Sequence, residues 1–336
     1  MFIRRDREAR EAEEGALAPV ATRSAASRGR ARPEEPDPFR TAFDRDRDRI
    51  LHSKAFRRLK HKTQVFLNPE GDHYVTRLTH ALQVTQVARA IAGGLGLNET
   101  LAEAIALGHD VGHTPFGHTG EDALAPYFTH GWHHAAQGVR IFETLEDCNL
   151  TWEVRDGIRA HTWRIDPPPH TAEGLVVRYA DRIAYLTHDA LDAIRAGLLT
   201  EADFPAATRE YLGRPGTLWV DRMVRGVLDF TVAADVLAMR PDLLEVMHEL
   251  RDFMFERVYA SPDSERGRQA AIAVIRRLVE HHLAHPDQLP ASYRDNDADL
   301  MTQVTDWVAG MTDRYALSLH DRLFDPAPPE LARQPG

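Results

Sequence analysis

From residue 41 onward the apolar positions recur with helical rather than strand spacing. In 76–92 (TRLTHALQVTQVARAIA), His80, Val84, Val87 and Ile91 fall at i, i+4, i+7 and i+11, one face of a helix. In 98–109 (NETLAEAIALGH), Leu101, Ile105 and His109 share a face, and Asn98 is placed to cap its start. Residues 133–147, 151–161, 173–196, 217–258, 264–284 and 298–318 carry further helical patterns. Between them GHDVGHTPFGHTGED (108–122) reads as a loop, and PPP at 167–169 breaks the chain. Strand signals are few, and the best candidate is a short hairpin, Thr63–Phe66 with His73–Thr76, turning at NPEGD. The pattern predicts an all-α fold with at most a short β-hairpin, one domain over 41–336. Residues 1–40 form an N-terminal arm: a short charged helix in IRRDREAREAEEGALA, then a Ser-, Gly-, Pro- and Arg-rich loop expected to be partly flexible.

Composition narrows the class. A chain of 336 residues can bury a sizeable core. Its 41 Lys+Arg against 51 Asp+Glu give a formal charge of −10, which argues against non-specific nucleic-acid binding. No apolar run approaches the ~20 residues of a membrane helix. The N-terminal stretch is charged where a signal peptide is apolar, so the cytoplasm is the expected location. A single Cys148 excludes an internal disulfide and a Cys-rich zinc site. There is no GxGxxG or GxxxxGK[ST] phosphate loop. Two features stand out: 18 His, and only three Lys (Lys54, Lys60 and Lys62) in a chain that otherwise uses Arg.

Several polar residues sit where an apolar side chain is expected. His80 lies in the core stripe of its helix, His109 and Asp110 end the next, and Asp181 is flanked by Ala180, Ile183 and Ala184. Taken alone, each has a plainer reading: a satisfied core histidine, a chance HD pair, a surface carboxylate beside Arg178 or Arg182. Together, two imidazoles and two carboxylates make a mixed N/O set suited to a divalent cation. In the loop that follows, His118 and Glu121 are three apart and meet if a helix begins there, an arrangement suited to a general acid. His113 lies in the same loop, and His134, or its neighbour His133, is a further candidate. FRRLKHKTQ supplies Arg57, Arg58, Lys60, His61 and Lys62, and Arg77 stands one turn before His80. Cations beside a metal suit a phosphorylated ligand, although any one of them could simply be solvated. Asp181, Tyr185 and Asp189 fall at i, i+4 and i+8, so Tyr185 and Asp189 extend the same stripe toward a sugar.

The order His80, His109-Asp110, Asp181 resembles that of the HD-domain phosphohydrolases. HSKAFRRLKHKTQVF (52–66), TRLTH (76–80), GHDVGHTPFGHTGE (108–121), DRIAYLTHD (181–189) and MTDRYALSLHDRLF (311–324) resemble the deoxynucleoside triphosphate triphosphohydrolases, the bacterial dGTPase-like proteins. The resemblance implies a helical HD fold with extra C-terminal helices. It also implies hydrolysis of a dNTP to deoxynucleoside and triphosphate by attack at the α-phosphorus. His80, His109, Asp110 and Asp181 would then hold the metal, and His118 with Glu121 would be catalytic. Arg77 would touch the α-phosphate, and His134, Arg182, Lys60, Lys62 and His113 would serve the substrate's phosphates. Gln64, Tyr185 and Asp189 would surround the deoxyribose. The ligand set accepts Mg or Mn first, or else Co, Ni, Fe or Zn, as cofactor. The resemblance brings a homo-oligomer (hexamer or tetramer) and a second dNTP as possible activator. Competing readings are an HD-type 5′-nucleotidase or phosphodiesterase, and a nucleotide-sensing module without turnover.

Overall fold

The computed structural model describes residues 2–64, 75–259, 262–324 and 331. Among the described residues, sixteen α-helices and short 3-10 and π turns together make up 67%, and no sheet occurs. The N-terminal third holds α1 (Arg7–Glu13), α2 (Ala42–His52), α3 (Lys54–Arg58), α4 (Arg77–Gly94) and α5 (Glu99–Gly108). There follow α6 (His118–Leu124), α7 (His134–Arg140), α8 (Trp152–Ala160), α9 (Ala172–Arg195), α10 (Ala206–Leu212) and α11 (Thr217–Ala234). The C-terminal part carries α12 (Pro241–Met254), α13 (Pro262–Ala284), α14 (Ala291–Arg294), α15 (Leu300–Ala309) and α16 (Asp313–Leu323). Of the expected hairpin, an antiparallel bridge between Thr63 and Thr76 is present, and its turn lies outside the described residues.

The chain divides into two compact units. The first comprises residues 1–53, 80–109 and 148–257, the second 54–79, 110–147 and 258–336. In the first unit α5 is the centre, packed by α2, α8 and α9. Asn98 caps it as the sequence predicts, its side chain accepting from Leu101 N–H at 3.2 Å. Every α5 residue from Leu101 to Gly108 except Glu103 is buried, and each fully buried Leu or Ile contributes about 1.5–3 kcal/mol. Two glycines let α5 and α8 approach closely. A Cβ on Gly157 would meet Ile105 Cδ1 at 2.4 Å, and one on Gly108 would meet Ile158 Cδ1 at 2.6 Å. The arm joins this unit: Thr22 donates from both N–H and hydroxyl to buried Glu173, and Arg30 pairs with buried Asp46.

In the second unit α13 is the spine, packed by α6, α15 and α16 over a core that includes Phe116, Leu124, Val274, Ile275, Leu278 and Val308. Here the structure corrects one expectation. Residues 298–318 form two helices rather than one, because Gly310 ends α15 and the Thr312 hydroxyl accepts from Tyr315 N–H to start α16. Residues 133–147 likewise divide into α7 and a π-helical turn at 141–145.

Candidate metal centre and catalytic loop

In the first unit, helix periodicity delivers three of the expected metal ligands to one place. His80 on α4 and His109 at the end of α5 are buried, with side chains 2% and 0% exposed. His80 Nε2 lies 3.1 Å from Asp181 Oδ1 on α9, and His109 Nε2 lies 3.7 Å from the same oxygen. Burial alone would raise the Asp181 pKa. The His80 hydrogen bond and the charges of His109 and His80 outweigh it and hold this carboxyl well below the ordinary range. His109 Nδ1 lies 2.6 Å from the Ala106 carbonyl, which can only accept, so Nδ1 carries the proton. Nε2 is then the nitrogen that faces the carboxylate oxygen of Asp181. Two imidazole nitrogens converging on one carboxylate oxygen make a mixed N/O donor set of the kind divalent cations take. This donor set therefore fits a divalent cation.

His161 was not singled out by its sequence, yet its ring centroid lies 5.0 Å from that of His109. It ends α8 as His109 ends α5, with Nδ1 2.7 Å from the Ile158 carbonyl three residues back. The signal was available: AIALGH and DGIRAH each close a helical segment on a histidine. Further along α9, Tyr185 is pushed up to about 12 by burial. Arg182 lies over the Trp163 ring at 4.2 Å, and Asp189 is buried.

The second unit holds Asp110 and the loop. Arg77 Nη1 donates to Asp110 Oδ2 at 2.9 Å, both side chains almost wholly buried. His113 Nε2 lies 3.2 Å from Asp110 Oδ1. Helix α6 begins at His118, so the expected pair meets: His118 Nδ1 is 3.1 Å from Glu121 Oε1. Two more imidazoles reach the same oxygen, His113 Nδ1 at 3.0 Å and His134 Nδ1 at 2.7 Å. His113 and His134 stack with centroids 3.8 Å apart. Burial pushes Glu121 up, but the charge of His134 and the hydrogen bonds from His113, His118 and His134 hold it well below the ordinary carboxylate value. Burial, then the charges of Arg77 and His134, push His113 down to about 3, so it is neutral at pH 7. The His118 side chain differs from these neighbours in being 69% exposed. The turn into α6 needs Gly117, which has φ +59 and ψ −130; a Cβ there would meet Arg77 Nη2 at 2.3 Å.

The basic segment departs from expectation at one position. Lys60 is exposed, but Lys62 is buried and its ammonium donates to the carbonyls of His113 and Ala309. Burial and the nearby Arg58 push its pKa down to about 7. Its amine is turned away from solvent. The Gln64 carbonyl lies 3.5 Å from Arg77 Nη2.

Comparison with known proteins agrees with this arrangement. Residues 77–186 match the HD domain and residues 237–322 a phosphohydrolase-associated domain. A deoxyguanosinetriphosphate triphosphohydrolase-like protein of Caldanaerobacter subterraneus is 46% identical, covering 93% of this chain and 93% of that protein. One of the same description from Desulfatibacillum aliphaticivorans is 44% identical, covering 93% and 95%. The fold is also that of a phosphohydrolase from Bacteroides thetaiotaomicron, at a TM-score of 0.53 and 19% identity over 80% of this chain and 67% of that one. A helical body with paired imidazoles and carboxylates at these positions defines an HD-domain phosphohydrolase, a hydrolase of the metal-dependent class. Within that class the chain belongs to the deoxyguanosinetriphosphate triphosphohydrolase-like family. Among the described residues no helix is long and apolar enough to cross a membrane.

Proposed function

We propose that the protein hydrolyses deoxynucleoside triphosphates to deoxynucleoside and inorganic triphosphate. The observation that carries this reading is the convergence of His113, His118 and His134 on one oxygen of buried Glu121. That hub keeps a carboxylate ionised and orients an exposed imidazole able to carry a proton to a leaving group. Arg77, fixed by Asp110, supplies a guanidinium for a phosphate oxygen.

In this reading His80, His109, Asp110 and Asp181 hold one divalent cation, Mg or Mn. When bound, the cation supplies Lewis acidity toward a phosphoryl oxygen and the attacking water. Water attacks the α-phosphorus in line, the bond from phosphorus to the 5′ oxygen breaks, and His118 protonates that oxygen as it leaves. Glu121 orients the imidazole. Arg77 contacts the α-phosphate, and His134, Arg182 and Lys60 serve the remaining phosphate oxygens. His113, neutral and buried, acts as a support rather than as a proton carrier. Tyr185 closes the sugar pocket against a 2′-hydroxyl, with Gln64 and Asp189 toward the 3′-hydroxyl. Residues 41–336 form the catalytic body in this reading, with 1–40 as its arm. A homo-oligomer with dNTP as activator belongs to the same reading.

The test is product analysis with each dNTP, and with all four mixed, in Mg²⁺ or Mn²⁺, resolved by ion exchange. Deoxynucleoside plus tripolyphosphate is expected. Deoxynucleoside monophosphate plus pyrophosphate, or diphosphate plus phosphate, would move the chain to another HD phosphohydrolase. Binding without turnover would make it a nucleotide sensor.

A further inference from the structure

Three segments of the second unit are laced together by buried polar contacts that the chemistry above does not use. Lys62 and Thr63 come from the basic segment, His113 and Phe116 from the catalytic loop, and Ala309 and Asp313 from the α15–α16 junction. The Lys62 ammonium joins the carbonyls of His113 and Ala309. One residue on, Asp313 Oδ2 accepts from Thr63 N–H at 3.0 Å and from the Thr63 hydroxyl at 2.7 Å. Its other oxygen, Oδ1, accepts from Phe116 N–H at 3.1 Å. Asp313 is 6% exposed, so these bonds are made out of competition with water.

Phe116 is the point that matters. It has φ +62, a left-handed conformation rare for a bulky residue, and Gly117 follows with φ +59. The next residue, His118, begins α6. The direction in which His118 and Glu121 leave the loop is therefore set by a strained two-residue turn whose amide is held by Asp313. A bond at such a place need not touch substrate to govern catalysis, because misplacing an acid by about 1 Å costs about 10²-fold.

We infer that Asp313 is a positioning residue for the catalytic loop, fastening the Phe116–Gly117 turn so that His118 and Glu121 face the reacting phosphate. The inference rests on the reading of His118 and Glu121 as the acid pair. Lys62 and Thr63 complete the fastening at its other end.

The experiment compares wild-type enzyme with Asp313→Asn and Thr63→Val, measuring kcat, KM, bound metal, melting temperature and hydrogen exchange of the peptide spanning 109–121. Asn keeps one acceptor oxygen but cannot serve both Phe116 and Thr63. For Asp313→Asn, kcat is expected to fall ~10–100-fold with KM and metal content within about twofold, and loop exchange to quicken. Thr63→Val leaves Asp313 in place and is expected to give a smaller loss, about 3–10-fold, in the same parameter. Asp313→Glu should restore less than half the rate, since its longer arm displaces the turn. A kcat within about twofold of wild type in Asp313→Asn would overturn the proposal. So would a loss in which metal content and melting temperature fall in parallel with activity, which marks a structural role only. If Asp313→Asn does not fold, Thr63→Val decides by the same criteria. If wild-type enzyme releases no tripolyphosphate, the functional reading fails separately, and unchanged loop exchange in the variants then sinks the fastening itself.

Discussion

The two clusters of ionisable side chains are built on opposite principles. His80, His109 and Asp181 sit on or at the ends of long regular helices, and each is placed by the period of its helix against apolar neighbours. His113, His118, Glu121 and His134 are gathered by an irregular segment with two successive positive φ values, around a single carboxylate oxygen. The first arrangement is rigid and suits a cation that must be held in fixed geometry. The second concentrates hydrogen bonds on one anion and leaves one imidazole, His118, facing solvent, which suits a group that gives up and regains a proton.

The comparison can be broken most decisively at the helical cluster. Asp181→Ala, or dialysis against a chelator, should remove bound metal and activity together, a loss on the order of 10³-fold. Elemental analysis alongside turnover checks it; metal retained at full stoichiometry in Asp181→Ala would deny that carboxylate its assignment. His118→Ala should dissociate the two properties, keeping metal and nucleotide binding while kcat falls ~10²–10⁴-fold. Equal turnover in His118→Ala and wild type would remove the acid from the scheme.

A third change probes the irregular backbone rather than its side chains. Gly117→Ala forces an L-residue into a conformation that favours glycine and pushes on buried Arg77. It should cost about 1–3 kcal/mol in denaturant unfolding and lower kcat as well. A glycine-to-alanine change at exposed Gly15, where a Cβ meets nothing within 4 Å, should do neither.

The smallest expected effect lies outside both clusters. Glu34, hydrogen-bonded to Arg49 and Asn149, is held down to about 2 from an ordinary 4.5. A depressed carboxyl contributes stability that is complete above its unfolded pKa and is lost as pH falls through the folded one. Glu34→Gln should therefore lower the melting temperature slightly at pH 7, with the difference from wild type fading between about pH 4.5 and 2. Its kcat should match wild type.

What the sequence disclosed follows the same division. Apolar spacing located α4, α5 and α9 and put His80, His109 and Asp181 on interior faces, because a helix converts sequence separation directly into direction. The His118–Glu121 spacing was legible for the same local reason. The stacking of His113 on His134 was not, since twenty residues of turns and short helix intervene and only tertiary folding brings them together. Lys62 shows the limit most sharply. A lysine in a cationic run reads as solvent-facing, and nothing local reveals that two carbonyls, one of them 247 residues away, take up its ammonium. The break between α15 and α16 was missed because Thr312 at the start of a helix carries less weight than the apolar run around it.

The burial of Lys62 has a practical consequence for covalent chemistry. With arginine used almost everywhere else, the chain has only Lys54 and Lys60 as exposed side-chain amines. Acylating reagents therefore have two exposed side-chain addresses six residues apart, while the third side-chain amine reacts only when its surroundings open. The yield of acylation at that third position, read by peptide mass, is a chemical clock for the opening of the segment that joins residue 62 to the catalytic loop.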